Sequence, residues 1–190
     1  RGRTDAPYKI YHSDEDAKYF FKKTYNANEM ESIVAKPHSP DNKAKVSECE
    51  DVKLDRAYIG SCTGGKLTDF MAAAKLLKGK KVLIDTFIVP ATREVEEDLH
   101  KEKIGGETLV DIFKNAGAYL GDPSCAACLG GPKDTFGRAG DNQVVISTTN
   151  RNFPGRMGSK QSHVYLASPY TAAASALTGH ITNPAEFVNN

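Results

Sequence analysis

The chain has 190 residues, 39% of them hydrophobic and 26% charged, with a formal charge of +1 at pH 7, proportions that fit one soluble globular domain with enough chain for a substantial core. So small a charge excludes a long-range pull towards nucleic acid or anionic lipid, no apolar run approaches the ~20 residues of a membrane helix, and no signal-peptide pattern opens the chain. Four cysteines are too few for a disulfide-dense secreted scaffold, so the expected compartment is intracellular and reducing.

The chain opens on Arg1-Gly2-Arg3 rather than on Met, which fits a processed form or a piece of a longer protein, with residues 1–30 a peripheral lead-in. Residues 13–23 predict a short helix, with Ser13 as N-cap, acids in the first turn and lysines in the last. Glu31 to Lys36 predicts a strand, stopped by Pro37 and Pro40. Arg56 to Gly60 predicts a second strand, followed by a glycine-rich turn to Gly65 and a helix capped by Thr68 that runs to about Lys78. The apolar run Lys81 to Val89 predicts a strand buried on both sides. Helical patterns follow at 92–103 and 107–116, split by Gly105-Gly106. Gln143 to Ser147 and His163 to Ala167 predict further strands. Pro169 opens a last, alanine-rich helix that ends near Gly179. Strands alternating with helices imply an α/β fold, a twisted and mainly parallel sheet with helices on both faces. Ligands in such folds gather beyond the carboxyl ends of the strands, and both Cys62 and Asn150-Arg151 fall just past predicted strand ends.

Two cysteines, Cys125 and Cys128, lie in the loop Asp122 to Pro132, where prolines and glycines forbid a long helix or a paired strand. By itself C-x-x-C fits a zinc knuckle, a redox pair or an iron–sulfur loop. A redox pair normally opens a helix, which Pro123 and Gly130-Gly131 disfavour, and zinc would need a fourth donor from Cys49 or one of five scattered histidines. Two inert buried cysteines are the plainest alternative. Cys62 sits in Gly60-Ser61-Cys62-Thr63-Gly64-Gly65-Lys66, which has the spacing of a phosphate loop, but Leu67 stands where the Mg²⁺-binding hydroxyl belongs. A cysteine at a strand end beside glycines and a helix N-terminus instead favours a thiolate. Three thiolates on one site suffice to hold a [4Fe–4S] cube at three corners and leave one iron open, an arrangement suited to a dehydratase. In Thr148 to Arg156, two arginines five apart in an irregular loop can act as planar forks for carboxylates. Cys49, the five histidines and the acidic run Glu94, Glu96, Glu97, Asp98 read as structural or solvated residues.

The motifs GSCTGG, SCAACLGGPKDT, STTNRNFPGRMG and YLASPYTAAASALTG, together with VAKPHSPDN at 34–42, resemble the aconitase superfamily, and within it the isopropylmalate isomerase branch. Cys125 follows Cys62 by 63 residues and Arg151 follows Cys128 by 23, as in that family. The likeness spans nearly the whole chain and is to the C-terminal part of the branch's large subunit, the third aconitase-type α/β domain. It implies a [4Fe–4S] cluster on Cys62, Cys125 and Cys128, with one iron open to substrate. It also implies an Asn150 that hydrogen-bonds near the cluster, and an Arg151 and an Arg156 that meet a small hydroxy-dicarboxylate. The implied activity is a hydro-lyase of leucine biosynthesis that shifts a hydroxyl by loss and re-addition of water. Homocitrate or citrate chemistry on the same scaffold, a cluster-free RNA-binding module and a zinc protein are the alternatives. The implied partners are a small subunit carrying the swivelling domain, which brings the serine base, and the N-terminal domains of the large subunit. No nucleic acid or membrane partner is expected. The cytoplasm or the plastid stroma is the expected location.

Overall fold

The computed structural model describes residues 6–188, and they divide into two units after Met30. In the first unit the helix expected over 13–23 does not form. One turn, with the Ala17 N–H donating to Asp14 O, is followed by irregular chain and a single 3-10 turn, Ala27–Glu29, capped by the Asn26 side chain. The aromatic side chains there, Tyr8, Tyr11, Tyr19, Phe20, Phe21 and Tyr25, are all exposed. A helix of that length is marginal in water without an apolar face to bury, so the N-cap and charge signals have nothing to act on.

The second unit carries the predicted α/β fold. Its elements in chain order are β1 (Ile33–Ala35), β2 (Lys43–Lys45), β3 (Arg56–Gly60), the one-turn α1 (Ser61–Gly64), α2 (Leu67–Leu77) and β4 (Asp85–Val89). Then come α3 (Arg93–Lys101), β5 (Lys103–Ile104), β6 (Glu107–Thr108), α4 (Leu109–Ala116), β7 (Tyr119–Leu120), β8 (Val144–Ser147), β9 (His163–Leu166), α5 (Pro169–Thr178) and α6 (Ala185–Val188). The main sheet has seven strands in the order β2-β1-β9-β8-β3-β4-β7. Five of them, β9, β8, β3, β4 and β7, run parallel, and β1 joins β9 and β2 antiparallel at the edge. The β5–β6 hairpin around Gly105-Gly106 stands apart. Among the described residues no helix is long and apolar enough to cross a membrane.

Boundaries moved where hydrogen bonds outweighed pattern. Strand β4 begins at Asp85 rather than Lys81, because the N–H groups of Val82 and Leu83 donate to Ala116 O and Ala176 O, the ends of two helices, instead of to a neighbouring strand. Helix α2 begins at Leu67, with Thr68 inside it. The Asp69 carboxylate reaches back to accept from the Lys66 N–H at 3.1 Å. By contrast α5 starts and stops as its sequence predicts, on a Ser168 hydroxyl that accepts from the Thr171 N–H and on Gly179 in the left-handed conformation.

Strand periodicity sorts the core into two clusters. On one face Ala57, Ile59, Ile88 and Ile146 pack with Phe70, Leu77, Leu99, Phe113 and Ala173 from α2, α3, α4 and α5. Each large apolar side chain buried there stabilises the fold by about 1.5–3 kcal/mol. On the other face Tyr58, Phe87, Val89, Val145 and Val164 pack with Ala127, Ala139 and Met157. These three come from the connections between β7 and β8 and between β8 and β9, which contain no α-helix. The parallel sheet is therefore covered on both sides as expected, but helices cover one face and two long loops the other. The strand order explains the split. The chain runs outward from β3 to β4 and β7, then returns across the sheet to β8 and β9, and right-handed crossovers in opposite directions must lie on opposite faces.

The reversal falls between β3 and β8, and one side chain ties their ends together. Thr148 Oγ1 accepts from the Gly60 N–H at 2.9 Å and donates to Gly64 O at 3.2 Å. A Cβ on Gly64 would lie 2.3 Å from Thr148 Cβ, and one on Gly60 would lie 2.3 Å from Val89 O. Gly64→Ala is expected to lower stability by about 1–3 kcal/mol through overpacking. A urea unfolding midpoint equal to that of the parent chain would contradict the contact.

Candidate functional site

The turn after β3 bends sharply. Ser61 is buried with φ +70°, a left-handed conformation that a non-glycine residue adopts at a cost of about 1 kcal/mol or more, and Cys62 next to it is exposed. Ser61 Oγ lies 3.8 Å from Cys62 Sγ and 3.9 Å from Cys125 Sγ, so one hydroxyl bridges sulfurs from two loops. Thr63 Oγ1 is 3.9 Å from Cys62 Sγ.

The second loop is folded on itself. The Ser124 hydroxyl accepts from the Ala126 N–H, and Ala127–Leu129 form a 3-10 turn that ends on Gly130 with φ +68°. A Cβ at Gly130 would lie 2.6 Å from Gly155 O, so the glycine lets the cysteine loop meet the arginine loop backbone to backbone. Arg138 Nε donates to Gly131 O at 2.9 Å, while Arg56 Nη1 donates to Arg138 O at 2.6 Å, and together they pin the far side of the loop to β3. Cys125 is half-buried and Cys128 is buried.

The third loop follows β8. Arg156 Nη2 donates to Cys128 Sγ at 3.7 Å. Asn152 is fully buried and its Nδ2 donates to Lys36 O at 2.9 Å and Val164 O at 3.0 Å, which anchors the loop to the antiparallel edge. Arg151 is exposed, and its Nη1 reaches only the carbonyl of Asn150.

Of the predicted site residues, then, Cys62, Cys125, Cys128 and Arg156 lie together at the carboxyl ends of β3 and β8. Asn150 stands at the rim, two residues past Thr148. Arg151, in the same loop, is exposed. The glycine turn is no phosphate cradle, since Thr148 fills the space beside Gly64. Cys49 is buried in the helix-side core, away from the other cysteines. A groove of about 530 Å³ lined by Ile33, Val34, Ala35, Leu166 and Thr171 runs beside the antiparallel edge and carries none of the cysteines.

Several residues escaped the motif reading. Thr148, Ser61, Arg138 and Asn152 act through hydrogen bonds that no spacing announces. Tyr58 was legible in principle, because alternation puts it on the opposite face from Ala57 and Ile59, under the cysteine loop. Its ring is fully buried, and burial, followed by the charges of the Cys128, Cys125 and Cys62 thiolates, pushes its pKa well above the ordinary phenol value. All three sulfurs are thus felt at one phenol.

The electrostatics of Cys62 differ from the expected helix-end effect. The Ser61 hydroxyl first, and that of Thr63 second, hold its thiol below the ordinary pKa, with the Cys125 thiol acting in the same direction and burial opposing. Burial pushes Cys49 the other way.

The buried polar atoms test what this mouth could hold. Among the described residues, five buried side-chain atoms have no hydrogen-bond partner, and three of them, Tyr58 Oη, Asn150 Oδ1 and Arg156 Nε, belong to residues at the mouth. Each such atom costs about 1–3 kcal/mol unless something else satisfies it. No three His, Cys, Asp or Glu side chains among the described residues close on a single ion. Three soft thiol donors beside unsatisfied polar atoms fit a sulfur-rich polynuclear group, whose corners take one thiolate each.

The aconitase family (aconitate hydratase) model matches residues 43–179. The chain is 54% identical over 192 residues to the chloroplastic 3-isopropylmalate dehydratase large subunit of Arabidopsis thaliana, an overlap of 98% of this chain and 38% of that protein. It is 45% identical to the 3-isopropylmalate dehydratase large subunit of Desulfitobacterium hafniense (98% and 43%). It is 46% identical to the probable methanogen homoaconitase large subunit of Methanosarcina mazei (97% and 45%). The chain thus spans less than half the length of these relatives.

In the metal-free protein, iodoacetamide is expected to alkylate Cys62 at least ~10-fold faster than Cys49 at pH 7, since the thiolate is the nucleophile. The Cys62 rate should rise through a midpoint below the ordinary thiol pKa, and Ser61→Ala should move that midpoint up. Peptide mass spectrometry across pH reads both, and a Cys62 midpoint above an ordinary thiol would contradict the hydroxyl effect.

Proposed function

The chain belongs to the aconitase family, and on that footing we propose that it is the C-terminal α/β domain of the large subunit of a [4Fe–4S] hydro-lyase. The proposed reaction interconverts 2-isopropylmalate and 3-isopropylmalate by loss and re-addition of water, in leucine biosynthesis. The observation that supports this reading is the Ser61 hydroxyl set between Cys62 and Cys125, from two separate loops, with Arg156 on Cys128 beside them at the reversal point of the sheet. The names of the Arabidopsis and Desulfitobacterium relatives support the substrate. The Methanosarcina relative supports homoaconitase chemistry on the same scaffold as a second reading. An RNA-binding module has less in its favour, because the formal charge is only +1.

In this reading Cys62, Cys125 and Cys128 are the three thiolate ligands. When bound, the cluster supplies an open iron, a Lewis acid towards a substrate hydroxyl. Members of this family generally carry such a cluster. The Ser61 hydroxyl first, and that of Thr63 second, lower the pKa of Cys62 and so favour the thiolate that a cluster takes. Asn150 offers an amide to the cluster's surroundings. Arg156 already spends Nη2 on Cys128, and its buried, unpaired Nε is the group that gains most from a substrate carboxylate. Arg151 is free to swing from solvent onto a second carboxylate. A proton must leave the carbon next to the one that bears the hydroxyl, and among the described residues no carboxylate or imidazole is placed at the mouth by a contact with the cysteines to take it. That role falls to a small subunit with a swivelling domain, with the remaining acids and histidines supplied by the N-terminal domains of the large subunit. The proposed location is the plastid stroma or the cytoplasm.

Anaerobic reconstitution with iron and sulfide is expected to give a brown protein with broad absorption near ~400 nm. Cys62→Ser, Cys125→Ser and Cys128→Ser should each prevent it, while Cys49→Ser should leave it unchanged. Colourless protein with stoichiometric zinc, or equal loss in Cys49→Ser, would overturn the assignment. In the complete enzyme Arg156→Lys should keep the cluster but lose activity roughly 100-fold, because an ammonium cannot form the bidentate fork. This chain alone should not hydrate isopropylmaleate, and turnover without added subunits would refute the division of labour.

A further inference from the structure

We infer that Tyr58 donates a hydrogen bond to a sulfur of the iron–sulfur cluster, or of a cysteine that holds it, and thereby strengthens cluster retention and raises its reduction potential. The inference rests on the function proposed above. It starts from a buried hydroxyl with nothing to bond. Tyr58 is 1% exposed, and its Oη has no hydrogen-bond partner. Buried tyrosine hydroxyls ordinarily find one.

The ring cannot move away to find a partner. It is packed with Ala127 of the cysteine loop and with Met157 of the arginine loop. It also lies so close to Gly137 that a Cβ there would be 2.8 Å from its Cδ2 and Cε2. The backbone is fixed too, since Tyr58 O accepts from the Thr148 N–H at 3.0 Å and its strand pairs with β4 and β8 on both sides. The phenol therefore sits at a set position beneath the loop that carries Cys125 and Cys128, two residues before the turn to Cys62.

A protonated phenol is a donor, and thiolate and sulfide sulfurs are acceptors with negative charge to share. A cluster gains negative charge on reduction, so a hydrogen bond to sulfur stabilises the reduced form more than the oxidised one, which raises the potential. The other orphaned atoms at the mouth serve differently. Asn150 Oδ1 is an acceptor, and Arg156 Nε faces the carboxylate role. Tyr58 is the one uncharged donor among them.

Tyr58→Phe in the full chain removes only the hydroxyl and separates this role from a packing role. In the metal-free protein the variant should be as stable as the parent or more so, because an unpaired buried hydroxyl is removed. After anaerobic reconstitution it should lose its cluster about tenfold faster under a chelator, and its potential, followed by electron paramagnetic resonance titration, should fall. If the parent takes up no cluster, both the function and this inference fail. If both proteins take up a cluster with equal loss rates and equal potentials, the function stands and the role of Tyr58 is refuted. A metal-free variant that is destabilised or fails to fold would mean the hydroxyl already has an internal partner, which also refutes it.

Discussion

The contact on which the arrangement depends is small, a threonine hydroxyl wedged between two glycines. Thr148 closes the end of β8 onto the turn after β3, accepting from one peptide and donating to another. Adjacent parallel strands hold each other in register, but nothing in the ladder fixes the chain beyond their last residues. Thr148 does that, and it does so at the place where the winding of the sheet reverses and a crevice must open. Two of the three loops at the mouth start from this contact, with Cys62 after the turn and Asn150 and Arg156 after β8. The cysteine loop enters from the far side and is held by Gly130 against Gly155 and by Arg138.

Reversal also explains why loops rather than helices cover the second face. The chain must return from β7 to β8 across two strands before it can go on to β9, and both connections fall on the same side. Two helices there would bury the strand ends under side chains and keep the backbone about a helix radius away. Loops with Gly130 and Gly155 in contact let Arg156 reach Cys128, while the Ser61 hydroxyl stands between Cys62 and Cys125. The apolar part of the cover shrinks to Ala127, Ala139 and Met157. The helix-side core, much larger, therefore carries most of the stabilisation, while the loop-side core fixes geometry.

Much of this was legible in the sequence wherever a local signal and a tertiary need agreed. The strand ending at Gly60, and the helix opened by Pro169 and closed by Gly179, formed as read because pattern, helix ends and packing all coincide. Cys125 and Cys128 could be assigned to a shared loop from proline and glycine alone. The misread parts have a common cause. Residues 13–23 carry helix signals with no surface to pack on, and Val82 and Leu83 are apolar but spend their N–H groups on helix ends. Helices on both faces followed from the alternating pattern, which counts elements and is blind to the direction of a crossover. In the site, residue types with known chemistry were found. Residues that work through one hydrogen bond, such as Ser61, Asn152 and Thr148, were not, because serine, threonine and asparagine occur in every turn.

The distribution of unsatisfied polar atoms carries the argument furthest. A fold of this size can tolerate a few such atoms, and two of the five have local surroundings that account for them. Arg56 stacks over the Phe87 ring at 5.2 Å with both terminal nitrogens engaged, and Asn152 gains more from its amide donors than its oxygen loses. The other three are a phenol, an amide and a guanidinium, and they belong to residues around the three sulfurs. A protein that left these unpaired for no return would forgo several kcal/mol of a net stability that rarely exceeds about 15. The same atoms become assets once a polar, anionic group enters, since they are already oriented and lose little freedom on binding. The structure of the mouth is thus that of a receptor left incomplete by the chain itself, in which the missing hydrogen bonds point to what completes it.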